Sequence, residues 1–131
     1  MLNRKPLLTS LLGAALIAAS PGAVSAEEIL AQGAFTGKSG HKTSGSVAIV
    51  KTDKGVEVRL GANFSLDSAP GPYLGFGNNA KYDPVTQFSK LGSNSGAQVY
   101  KLPVRIDVSK YKEFYVWCRP FNVPLGVAKL N

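Results

Sequence analysis

From residue 27 onward, no stretch of this chain keeps an apolar period of 3.6 over three turns. Apolar residues instead alternate with polar ones in short runs, the period of a strand with one buried face. The cleanest case is Val56-Glu57-Val58-Arg59-Leu60, which puts Val56, Val58 and Leu60 on one face and Glu57 and Arg59 on the other. Ser46-Val47-Ala48-Ile49-Val50-Lys51 precedes it and is rich in β-branched residues, with the turn formers of Thr52-Asp53-Lys54-Gly55 between. The two runs read as a hairpin with a loop of roughly three to five residues. Its apolar face requires a second layer, because a lone hairpin is marginal in water.

Further runs follow the same style. Gly33–Thr36 is a candidate first strand, Tyr73–Phe76 follows the stiff turn Ala69-Pro70-Gly71-Pro72, and Gln98–Leu102 stops at Pro103. Val123–Leu130 reads as a closing strand, and Ser109–Lys112 as one helical turn. Glu113-Phe114-Tyr115-Val116-Trp117-Cys118 is apolar on both faces, which suits a strand buried between two layers. Fourteen glycines and eight prolines punctuate the chain as a sandwich or barrel requires. The expected fold is a single all-β domain over residues 27–131, an antiparallel β-sandwich or flattened β-barrel. Its core is expected to hold Val47, Ile49, Val58, Leu60 and Val116.

Residues 1–26 read as a secretory signal peptide. Arg4 and Lys5 open it, Leu7–Ala19 is mostly apolar, Ser20-Pro21-Gly22 breaks the run, and Val24-Ser25-Ala26 supplies the small residues of a cleavage site before Glu27. The apolar run is too short to span a bilayer, which takes about 20 residues. An exported protein, periplasmic or extracellular, is expected, with no transmembrane span after cleavage. Arg4 and Lys5 leave with the leader, so thirteen basic side chains remain against eight acids, a net +5. These cations are scattered singly, so no nucleic-acid footprint is expected.

One cysteine and one histidine exclude a disulfide framework and any Cys- or His-rich metal centre, and leave no evident hydrolytic triad. A stand-alone enzyme is not expected, nor a metal site. Gly75-Phe76-Gly77-Asn78-Asn79-Ala80 matches the letters of a dinucleotide fingerprint, but Pro84 discourages the helix that motif needs, so a β-turn is expected. Asn63-Phe64-Ser65 is a formal glycosylation sequon whose apolar setting points to the end of a core strand.

Two residues carry the remaining chemistry. Cys118 is unpaired in an exported protein, where an unpaired thiol is open to oxidation and crosslinking. With Phe114, Val116, Trp117 and Phe121 nearby it could equally be an inert core residue. Pro120 lacks an N–H and is expected to end the strand, leaving the sulfur at the rim of the sandwich, where Arg119 or the loop holding His41 would tune it. His41, in the polar stretch Gly37–Gly45, is a second candidate ligand or catalytic group beside the simpler reading of a loop histidine bonded to nearby backbone.

Taken in order, Gly33-Ala34-Phe35, His41-Lys42-Thr43-Ser44-Gly45, Leu60 with Asn63-Phe64, Gly71-Pro72 and Tyr100-Lys101-Leu102-Pro103 form the first part of a recognisable pattern. Val116-Trp117-Cys118, Phe121, Val123, Gly126, Ala128 and Leu130 complete it. The chain resembles the DM13 family, also called electron transfer DM13, across residues 31–131. Tyr73 departs from the acidic residue that commonly follows Gly-Pro there. The resemblance implies an all-β domain and a redox role for Cys118, as a free thiol or as the ligand of a prosthetic group such as haem, with His41 a further cofactor candidate. It also implies a separate redox or cell-envelope protein as partner. The rival reading is a non-catalytic envelope or cell-surface binding module for protein or glycan, and a third is a small structural envelope protein.

Overall fold

The computed structural model describes residues 26–131. The expected leader lies outside the described residues apart from Ala26. Among the described residues eleven strands are formed: β1 Glu28–Gly37, β2 Thr43–Ser44, β3 Ser46–Thr52, β4 Gly55–Leu60, β5 Ser65–Leu66, β6 Pro72–Asn78, β7 Lys81–Asp83, β8 Ser89–Lys90, β9 Gln98–Lys101, β10 Glu113–Cys118 and β11 Val123–Lys129. Nine join one antiparallel sheet in the order β7-β6-β10-β11-β1-β3-β4-β9, with β8 also on β6, while β2 and β5 pair separately. The fold is all-β, as expected, and takes the form of a curled sheet, a half-barrel.

The curl is built on β1. Its first part, Glu28–Ala34, pairs with β3, and its last part, Phe35–Gly37, pairs with β11. One strand therefore serves both halves, and Phe35 at the changeover points into the core, 7 % exposed. Val47, Ile49, Val58 and Leu60 of one half meet Leu74, Phe76, Phe114 and Val116 of the other. All five residues assigned to the core from sequence are 2 % exposed or less. The far ends of the sheet also approach one another, with the Phe88 and Tyr100 rings edge to face at 6.4 Å.

Local chemistry accounts for the differences from expectation. Thr52 pairs with Gly55, so Asp53 and Lys54 alone make the turn where three to five residues were expected. The Thr52 hydroxyl accepts the Lys54 N–H and donates to the Gly55 carbonyl, tightening the turn, and Gly55 takes a φ of +126° that other residues avoid. The helical turn is a 3-10 turn at Val108–Lys110, capped by the Asp107 side chain. The Gly75–Ala80 letters form the β6–β7 hairpin, whose turn residues Asn79 and Ala80 have φ of +53° and +64°. The sequon residue Asn63 accepts from the Ser46 backbone and hydroxyl, beside a buried Phe64. Among the described residues no helix is long and apolar enough to cross a membrane.

Candidate functional site

Strand β10 runs between β6 and β11, so backbone hydrogen bonds hold it from both sides. Its alternation sorts the side chains as the sequence implied. Phe114, Val116 and Cys118 enter the core, while Glu113, Tyr115 and Trp117 point to the opposite face.

Cys118 closes the strand. Pro120 stops the ladder, and the turn Arg119–Asn122 is fastened by the Asn122 N–H on the Cys118 carbonyl at 2.7 Å. The strand end is where Pro120 suggested, but the sulfur is not at an open rim: Cys118 is 2 % exposed and belongs to the core cluster. Its thiol donates to the Pro70 carbonyl at 3.2 Å. Phe121 takes no part in covering it, being 69 % exposed in the turn. Arg119 is drawn elsewhere, its guanidinium 5.0 Å above the Tyr73 ring.

The cover over the sulfur is the irregular segment Asp67–Gly71, held at both ends. At the far end the Arg119 N–H bonds the Gly71 carbonyl at 3.1 Å. Gly71, at φ +54°, sits against Pro120 so closely that a Cβ would lie 2.6 Å from the proline ring. At the near end His41 Nδ1 lies 2.9 Å from Asp67 Oδ1, and the Lys42 N–H donates to Oδ2 at 2.9 Å. The Lys42 N–H, and after it the His41 ring, hold the Asp67 carboxyl below the ordinary aspartate range. His41 and Cys118 thus grip the same strap three residues apart, at Asp67 and Pro70, and no hydrogen bond joins them to each other.

This arrangement bears on haem. A haem ligand needs a sulfur or ring nitrogen directed into a cavity wide enough for the macrocycle. The Cys118 sulfur faces packed core and Pro70, the His41 ring is engaged by Asp67, and neither residue lines the large groove of the molecule. The residues present do not fit a haem held by Cys118 and His41. Among the described residues there is also no cluster of three or more His, Cys, Asp or Glu able to hold a metal ion.

The large groove, of about 1220 Å³, lies on the other face of β10. Its wall is the parallel stack of Tyr82 on Trp117, ring centres 4.3 Å apart and planes within 9°. Tyr115 stands edge-on to both, at 5.3 and 6.1 Å. Gly75 and Gly77 make this possible: a Cβ at Gly75 would meet the Tyr82 hydroxyl at 2.6 Å and its ring at 2.7 Å, and one at Gly77 the Lys81 carbonyl at 2.1 Å and the Tyr115 ring at 2.8 Å. The Glu113 carboxylate, 9 % exposed, accepts the Tyr115 hydroxyl at 2.9 Å and the Ala80 N–H at 3.0 and 3.1 Å. It thereby fastens the left-handed Ala80. Burial pushes the Tyr82 and Tyr115 phenols well above the ordinary tyrosine range, with the Glu113 bond adding to the shift at Tyr115.

None of these groove residues stood out as a site in the sequence. The available signal was Glu113-x-Tyr115-x-Trp117, one polar and two amphipathic aromatic side chains at period two on a strand whose other face already filled the core.

Residues 34–130 match the family model described as electron transfer DM13. No curated protein and no solved structure matches the chain.

Proposed function

The chain belongs to the DM13 family, and from that premise we propose that it is an exported, redox-associated accessory domain in which Cys118 is a thiol kept covered until the Asp67–Gly71 strap lifts. The observation that carries this reading is the sulfur's bond to Pro70 O, which ties the thiol to an irregular surface strap rather than to a neighbouring strand. Asp67, Ser68, Pro70 and Gly71 are all exposed, so the strap has little buried surface to hold it and belongs among the segments that open locally. Opening breaks the S–H···O bond and admits water and base. The Cys118 thiolate then attacks one sulfur of a partner's disulfide. A bond forms between them as the partner's S–S bond breaks, and the released partner sulfur leaves as a thiolate that takes up a proton. The partner is a separate redox or cell-envelope protein, and export supplies the oxidising surroundings in which such disulfides persist.

Labelling of the native protein with a thiol reagent tests this. Slow labelling is expected for the wild type, accelerated about tenfold by Asp67→Asn, which removes a charged acceptor from the near end of the strap. Cys118→Ser and Cys118→Ala should both fold and both lose exchange with a disulfide probe. Labelling no faster in Asp67→Asn than in global unfolding would reduce Cys118 to an inert core residue.

A further inference from the structure

The groove on the opposite face of β10 does not depend on the thiol. We propose that it is a binding site for an acidic oligosaccharide, a chain of sugar rings carrying carboxylate or sulfate groups. Three observations support this.

The first is aromatic surface where a sheet usually turns polar groups to solvent. Trp117 is only partly buried and lines the groove, and the Tyr82 stack and the Tyr115 edge contact fix its orientation before any ligand arrives. A rigid indole is a platform for the C–H face of a pyranose, and a ring already locked loses little freedom on binding.

The second is charge. Lys38, Lys81 and Lys129 come from three different strands or strand ends to the lining of this groove. No ion pair among the described residues includes any of them. The acidic side chain present, Glu113, is already committed to Tyr115 and Ala80. Three uncommitted ammonium groups around an aromatic wall complement a ligand that is anionic and ring-bearing at once.

Size and geometry give the third. At about 1220 Å³ the groove exceeds the range of roughly 300–1,000 Å³ that holds one compact small molecule. It suits several linked rings. A single-stranded nucleic acid would want successive free ring faces to stack its bases on. Here Tyr82 and Trp117 cover one face of each other, leaving no such ladder.

The chain's single tryptophan is Trp117, so its emission reports on the groove alone. The experiment titrates the mature protein with an oligogalacturonate hexamer, a heparin hexasaccharide, neutral cellohexaose and oligo-dT, followed by tryptophan emission and calorimetry. At least one acidic sugar should produce a saturable change that weakens with added salt, while cellohexaose binds at least tenfold more weakly. Lys38→Gln with Lys129→Gln should weaken the acidic sugar about tenfold with an unchanged thermal melt, and calorimetry on Trp117→Phe should show a further loss. No saturable response to either acidic sugar, equal affinity for cellohexaose, indifference to the lysine changes, or tighter binding of oligo-dT would each overturn the proposal. Cys118→Ala should leave this binding intact, so the outcome is read separately from that of the thiol.

Discussion

On one face of β10, Phe114, Val116 and Cys118 are sealed in a core whose contact with a polar group on this strand is the sulfur's bond to Pro70. On the other, Glu113, Tyr115 and Trp117 form a wall in which each ring is positioned by a neighbour: Glu113 and Tyr115 are buried within it, and the partly buried Trp117 faces the groove. Both faces are apolar by composition. What separates them is what packs there: Phe76, the cross-strand partner on β6, and Phe35 of β1 press edge to face on Phe114, whereas two glycines of β6 and a short hairpin lie beside Tyr115 and Trp117. The core face contributes stability by excluding water. The groove face holds a surface in a fixed shape, and rigidity there without closure suits a binding role better than a structural one.

The largest test of this contrast sets Phe114→Ala beside Trp117→Ala. Phe114 is fully buried and meets Phe35 and Phe76 edge to face, so truncation removes transfer energy and leaves a cavity. A loss of about 3–5 kcal/mol is expected in urea unfolding. Trp117 is partly buried, and its truncation forfeits chiefly the stack on Tyr82, for about 1–2 kcal/mol. Equal losses would mean that the groove wall is a second core and that its openness carries no meaning.

How much of this was legible beforehand depends on the range of the forces involved. Period-two alternation divides β10 into two faces, and Pro120 fixes its end, because both are properties of a few consecutive residues. Val116 was rightly placed in the core, but which further side chains of the strand would be covered was not legible, since both faces are apolar and the covering residues lie dozens of positions away. The burial of Cys118 is the clearest instance. Local sequence put the sulfur at a rim tuned by Arg119, but Pro70, 48 positions earlier, covers it, and Tyr73 draws the arginine off. The Gly75-x-Gly77 pair shows the same limit from the other side. Its letters match a dinucleotide fingerprint and were read as a β-turn, which the β6–β7 hairpin bears out, but nothing local showed that Tyr82 crowds Gly75, or that the Lys81 carbonyl and the Tyr115 ring crowd Gly77.

A smaller effect concerns pH and is largest on the groove face, although burial also raises Tyr100 and Tyr111 beside the core. Tyr82 and Tyr115 have folded-state pKa values raised above the ordinary 10.0. A group whose folded pKa is raised holds its proton longer in the native protein. Its contribution is therefore fully present below pH 10 and is lost as pH climbs past the unfolded value toward the folded one. Stability should fall above about pH 10, with two phenols escaping spectrophotometric titration until the chain unfolds. Tyr115→Phe should flatten that alkaline decline, while Val116→Ala, on the core face of the same strand, should lower stability equally at every pH. A titration in which all five tyrosines ionise together in the native state would place these rings in water, not in a packed wall.

The smallest effect isolates the hairpin that closes the groove. Ala80 sits at φ +64°, a left-handed conformation that costs an L-residue roughly 1–2 kcal/mol. Glycine adopts it freely but loses more chain entropy on folding, roughly 0.5–1 kcal/mol relative to alanine. The difference leaves Ala80→Gly stabilising by about 0.5–1 kcal/mol, provided the Glu113 carboxylate still receives the residue-80 N–H, which glycine retains. The double variant Glu113→Ala, Ala80→Gly then measures the clamp. With Glu113 present, the alanine is held in its strained conformation by a charged acceptor. With Glu113 gone, the turn is freer to relax, and the gain from glycine should shrink. A gain unchanged by the loss of Glu113 would show that the two-residue geometry of the turn imposes the strain by itself, and that the carboxylate serves the Tyr115 hydroxyl alone.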